Sequence, residues 1–244
     1  MDRNTQCESD LSSRLTSRRQ WLAGLGALTL GIAGLSAGVF SSDAQAQTAP
    51  GATGSPAAAG GAPRLLVVGD SLSAEYGIVR GTGWVPLLQE RLKKNGYPYQ
   101  VVNASISGDT TSGGVSRMPS LLTQHKPEVV VVELGANDAL RGLALSMTER
   151  NLDKLVGDAK QSGAKVLVAG IQIPPNYGRD YTERFNAIFG KVAKTHQAAL
   201  VPFLMEGIAT DRDMFQADGI HPVSAAQPKL LDNVWARLEP LLKR

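Results

Sequence analysis

Ser71 closes the segment Arg64-Leu-Leu-Val-Val-Gly-Asp-Ser71, in which an apolar run is followed by Gly69 and Asp70. A strand ending there delivers the hydroxyl to the carboxyl edge of a sheet, where open α/β folds bind ligands. A serine in that place can be a nucleophile or merely a helix cap, and the triplet alone does not decide between them. The decision comes from Asp218-Gly219-Ile220-His221-Pro222 near the C-terminus. A carboxylate three residues before an imidazole can hold one ring nitrogen, fixing the tautomer whose other nitrogen takes a proton from serine. The chain has three histidines. His125 and His196 sit towards the ends of helical stretches, where solvent or the helix terminus accounts for them. A second serine, Ser36, lies in the G-x-S-x-G pattern of Gly34 to Gly38, but inside an uncharged leader-like run with no acid or histidine partner.

Two more loops follow apolar runs. Gly108 offers a backbone N–H and Asn137 a side-chain amide, and with the N–H of Ser71 these make three donors for an oxyanion. Ile173, Pro174 and Tyr177 follow a further strand at the same edge and are candidates for contact with an acyl chain, or else form a stiff turn. The chemistry is acyl transfer, with no metal or other cofactor required.

Positioning these loops requires parallel strands. Short Val/Leu/Ile runs at 65–68, 100–102, 129–134, 165–171 and 201–204 read as strands covered on both faces. Helical spacing connects them at 84–94, at 181–195 and at 225–242. Ser146 and Glu149 are placed to cap a further helix whose inner stripe is Leu152, Leu155, Val156 and Ala159. This alternation predicts a three-layer α/β/α sandwich around a mainly parallel five-stranded sheet, in the order 2-1-3-4-5.

The 244 residues include a front that is not fold. Arg18 and Arg19 precede the uncharged run Trp21 to Phe40, and Ala44-Gln45-Ala46 supplies small residues for cleavage. Residues 1–46 read as a signal peptide, with twin-arginine features, and 47–63 as an Ala/Gly/Pro-rich tether, leaving 64–244 as the domain. An uncleaved anchor is the competing reading of the apolar run. The single cysteine, Cys7, precedes that run, so a processed chain would have no disulfide and would rely on an ordinary core in the periplasm or outside the cell. A net charge of +3 without a Lys/Arg tract argues against nucleic-acid binding.

Gly69-Asp70-Ser71-Leu72, Gly108-Asp109-Thr110, Gly135-Ala136-Asn137-Asp138 and Asp218 to Pro222 together resemble, in order and spacing, the blocks of the SGNH or GDSL hydrolases. The stretches 102–110, 132–135, 175–178 and 203–206 are similar to the bacterial group that combines thioesterase, lysophospholipase and arylesterase activity. The resemblance implies a flavodoxin-like sheet, Ser71 as nucleophile, His221 as base, Asp218 as its orienting acid, and Ser71, Gly108 and Asn137 as the oxyanion hole. It further implies a monomer that hydrolyses small-molecule esters and thioesters (aryl esters, acyl-CoA, lysophospholipids), with transient lipid contact. Ala136 departs from the second glycine common at its position. A carbohydrate or peptidoglycan O-acetyl esterase, and a noncatalytic lipid-binding module of the envelope, are the competing functions.

Overall fold

The computed structural model describes residues 61–244; the readings of the leader, most of the tether, Cys7 and Ser36 lie outside the described residues. Five strands, β1 (Arg64–Gly69), β2 (Gln100–Asn103), β3 (Val129–Glu133), β4 (Lys165–Ala169) and β5 (Ala199–Val201), form one sheet in the order β2-β1-β3-β4-β5. Every neighbouring pair is parallel, with Leu66 opposite Val102 on one side and Val130 on the other. The central strands β1 and β3 are buried almost throughout, as continuous apolar runs covered on both faces must be.

The helices are α1 (Trp84–Lys94), α2 (Thr111–His125), α3 (Ala136–Leu140), α4 (Leu145–Gln161), α5 (Arg179–Thr195) and α6 (Gln227–Leu238). α1 packs on α6, while α2 packs on α4 and α4 on α5, giving one helical layer on each face. In α4 the inner stripe Leu152, Leu155, Val156 and Ala159 is fully buried. Residue Pro228 stands at the start of α6, where its missing N–H costs no helical bond.

Four local expectations require correction. The last strand ends at Val201, not Leu204: Val201 O accepts from Gly170 N at 2.8 Å, and Pro202 has no N–H to continue a ladder. α4 opens after Ala144, so Ser146 lies inside the helix and caps nothing. Asn137 lies on the short helix α3, not in a loop. Ser71 stands in a turn, and helix starts only at Trp84, because Glu75 and Gly77 both adopt positive φ. The Glu75 carboxylate then binds the amides of Gly81 (2.7 Å) and Gly83 (2.8 Å), closing that loop over the sheet edge.

Candidate active site

β1 brings Ser71 to the carboxyl edge through a close crossing with β3. Gly69 lies opposite Glu133, and a Cβ at Gly69 would come within 2.7 Å of the Glu133 carboxylate. No larger residue fits that strand exit without displacing an acid. On the far side of the site, loop 202–226 folds back on itself: Gln216 N donates to His221 O (2.8 Å), Val223 N to Met214 O (2.9 Å) and Gly219 N to Gln216 O (2.9 Å). This turn presents Asp218 and His221 together.

The side chains form a continuous chain of hydrogen bonds. His221 Nε2 is 2.8 Å from Ser71 Oγ, and His221 Nδ1 is 2.7 Å from Asp218 Oδ2. Asp218 Oδ1 accepts from the backbone amides of Ile220 (2.9 Å) and His221 (3.0 Å), which fixes the acid against its own loop. With the Nδ1 proton directed to Asp218, Nε2 is left to accept from Ser71. Burial pushes the Asp218 carboxyl upward, but those amides and the His221 side chain outweigh it and hold it down at about 2. The carboxylate is therefore charged throughout the neutral range.

The three amide donors come from separate segments: Ser71 in the turn after β1, Gly108 in the loop after β2 and Asn137 on α3. Among the described residues, the amides of Ser71 and Gly108 donate to no protein group, and Gly108 takes φ 79°, a conformation that favours glycine. Asn137 is engaged differently: Nδ2 donates to Asp70 Oδ2 (3.1 Å) and to Asp109 O (2.9 Å). The amide is thus oriented by two acceptors. Its helix is anchored by buried Asp138, whose Oδ2 accepts from Thr111 N (2.9 Å). Asp109 is fixed in turn by Arg117, 2.5 Å away.

Three participants, Asp70, Glu133 and Tyr76, have no role assigned from the sequence. Asp70 is buried, and its Oδ1 accepts from Leu72 N (3.0 Å). Beneath it, Glu133 Oε2 accepts from Asp70 N (3.2 Å) and Ser73 Oγ (2.7 Å), while Oε1 is buried with no partner among the described residues. Burial, opposed by the Leu72 amide, His221 and Asn137, raises Asp70 to about 6; burial and the neighbouring Asp70 charge raise Glu133 well above the usual carboxylate range. A charged residue ending the run Val129 to Val132 was the available signal for Glu133. Tyr76 gave none: its ring lies 4.4 Å from the imidazole of His221, tilted by 41°, and its carbonyl accepts from Gln216 Nε2 at 2.9 Å.

Ser71, Asn137 and His221 open onto an apolar cavity of about 350 Å³, lined further by Ile173, Pro174, Phe203 and Met205. Tyr177 does not line it; that residue is exposed on a 3₁₀ turn. His196 instead bonds Asp153 at 2.8 Å beyond the end of α5.

Residues 67–227 match the GDSL-like Lipase/Acylhydrolase family. The chain is 56% identical over 181 residues, 74% of its length and 90% of the relative's, to "Esterase TesA" of Pseudomonas aeruginosa. It is 44% identical over 184 residues, 75% of its length and 87% of the relative's, to "Thioesterase 1/protease 1/lysophospholipase L1" of Escherichia coli. A crystal structure titled as that of TesA superposes with a TM-score of 0.72 at 56% identity, covering 73% of this chain and 99% of that one. Sequence blocks, sheet order and relatives agree: the chain belongs to the GDSL-like lipase/acylhydrolase family and is a serine hydrolase of ester bonds.

Proposed function

We propose that Ser71 is the nucleophile of this esterase, His221 its base and Asp218 the acid that orients the base, and that the Ser71 and Gly108 amides with the Asn137 side chain stabilise the oxyanion. The substrates are carboxylic esters and thioesters: aryl esters, acyl-CoA and lysophospholipids. What carries the reading is the unbroken contact from Ser71 Oγ through His221 to Asp218, at 2.8 and 2.7 Å, at the mouth of an apolar cavity.

His221 Nε2 takes the Ser71 proton as Oγ attacks the carbonyl carbon. Negative charge gathers on the carbonyl oxygen, where each donor is worth about 3 kcal/mol. The imidazolium returns its proton to the departing alcohol or thiol, leaving an acyl group on Ser71. Water, deprotonated by His221, then attacks the acyl-enzyme, and the carboxylic acid leaves. Ile173 and Pro174 form part of the acyl wall; the cavity is larger than an acetyl group needs. Asp218 is charged at neutral pH, which favours the imidazolium of each step. The leader with its apolar run and Ala44 to Ala46 supports export, and the enzyme works as a monomer in the periplasm or outside the cell.

The test is a series of p-nitrophenyl esters from acetyl to palmitoyl, with acyl-CoA and lysophospholipid alongside and Ser71→Ala as control. Hydrolysis of medium and long chains, lost in Ser71→Ala, is expected. Acetyl-only activity overturns the substrate class, and hydrolysis retained by Ser71→Ala overturns the nucleophile.

A further inference from the structure

Among the described residues, five large apolar side chains stand exposed: Val79 (71%), Tyr76 (51%), Ile106 (50%), Ile220 (41%) and Tyr177 (40%). Single exposed apolar residues are ordinary on a protein surface. Their distribution here is not ordinary. Tyr76 and Val79 follow β1, Ile106 follows β2, Tyr177 follows β4 and Ile220 follows β5. Because all the strands are parallel, each of these loops leaves the same edge of the sheet, the edge that holds Ser71. The solvent faces of the five long helices contribute none.

The charges of the same loops are selective. In loops 70–83, 104–110 and 170–178 every carboxylate is engaged: Asp70 is buried, Glu75 binds two amides and Asp109 is paired with Arg117. Arg80, beside Val79, is exposed and makes no ion pair among the described residues, and exposed Arg179 opens α5 next to the loop of Tyr177. The exposed acids of this edge lie elsewhere: Glu206, Asp211, Asp213 and Asp218 in loop 202–226, and Asp180 in the first turn of α5, where it pairs with Arg184 at 3.4 Å. Exposed apolar side chains beside Arg80 and Arg179, on loops whose own carboxylates are engaged, complement a surface of acyl chains and phosphates.

We propose that this rim seats the enzyme on a phospholipid surface, so that an acyl chain passes from the surface into the cavity at Ser71 without crossing water. The inference rests on the lysophospholipid part of the proposed function. A bound monomeric substrate needs only the cavity; a substrate held in an aggregate needs the rim as well, and the two requirements separate experimentally.

The variant is Val79→Ser with Ile106→Ser, two exposed side chains outside the catalytic machinery. Compared in the same full-length chain, any contribution of the leader cancels. Rates are measured on dissolved p-nitrophenyl butyrate and on lysophosphatidylcholine across its micelle-forming concentration. Co-sedimentation is measured with vesicles of phosphatidylcholine alone and of equal phosphatidylcholine and phosphatidylglycerol, in a Ser71→Ala background that leaves the lipid intact. The double variant is expected to keep its butyrate rate within about twofold while losing roughly fivefold or more in micellar rate and in vesicle binding. Arg80→Glu is expected to weaken binding chiefly to the anionic vesicles. Unchanged vesicle binding by the double variant overturns the proposal. So does an equal loss on both substrates, which assigns these side chains to the integrity of the active site, and so does lipid-independent self-association that the double variant abolishes, which makes the rim an interface between copies. Should the parent bind vesicles through the rim yet hydrolyse no lysophospholipid, the substrate reading fails and the surface stands.

Discussion

Two aspartates flank the Ser71–His221 pair, and the protein drives them in opposite directions. Asp218 has 38% of its side chain exposed, bonds two backbone amides and an imidazole, and is held at about 2. Asp70 is 1% exposed, sits above the acid Glu133, and is pushed up to about 6. The same functional group is thereby a permanent anion on one side of the serine and a titrating one on the other. Burial pushes both upward, but far more for the enclosed Asp70; Asp218, more open, also receives three donors against the two aimed at Asp70. Asp218 suits the charge that develops on His221, whereas Asp70 suits the orientation of Asn137, which it meets at 3.1 Å.

The largest effect that bears on this contrast is expected from Asp218→Asn, which keeps the shape and removes the charge. Steady-state kinetics should show kcat reduced about 10³-fold or more with KM little changed, because the imidazole loses its tautomer and its counter-charge. A reduction below about tenfold would make Asp218 no more important than Asp70. In stability, the lowered carboxyl contributes above its unfolded value near 4, and that contribution disappears as pH falls through about 2.

Asp70→Asn comes next. A folded value of about 6 exceeds the unfolded value near 4, so the parent is favoured below pH 4 and loses that advantage as pH rises to 6. The variant, which lacks this loss, should therefore gain stability over the parent across that window, reaching on the order of 2 kcal/mol at neutral pH. Chemical denaturation at pH 4, 5, 6 and 7 measures it, and a difference that does not change with pH contradicts the assignment. Activity should fall about tenfold, since Asn137 exchanges a charged acceptor for a neutral one.

Glu133→Gln is expected to do least. Burial favours the neutral acid, and glutamine copies its shape while its carbonyl still accepts from Asp70 N and Ser73 Oγ. Stability within about 1 kcal/mol of the parent and activity within about threefold should result. A large loss in either would mean that Glu133 works as an anion, whose like charge would push Asp70 up further.

Much of this was legible in the sequence, and for a common reason. The candidates Ser71, Gly108, Asn137, Asp218 and His221 each sit in a short block beside a strand or turn, so local pattern places them at one sheet edge once the strands are parallel. The strand order followed from the same alternation. What escaped was contact between distant segments of chain. Asp70 and Glu133 meet because Gly69 is in register with Glu133 across β1 and β3, and Tyr76 covers His221 only after loops 70–83 and 202–226 close on each other. Helix and strand ends escaped too: Ala144 rather than a side-chain cap opens α4, and Pro202 rather than the apolar run to Leu204 ends β5. Tyr177 shows the limit of reasoning from position along the chain, since it follows the right strand but stands outside the cavity.

The proposed mechanism requires Ser71 Oγ to become acylated. The most direct measurement is labelling of the purified enzyme with a p-nitrophenyl alkylphosphonate, followed by peptide mass spectrometry and by release of p-nitrophenol. One adduct per chain on the peptide carrying Ser71 is expected, absent in Ser71→Ala and slowed about 100-fold or more in His221→Ala. A stoichiometric adduct on another residue, or labelling of Ser71→Ala at the parent's rate, would contradict it.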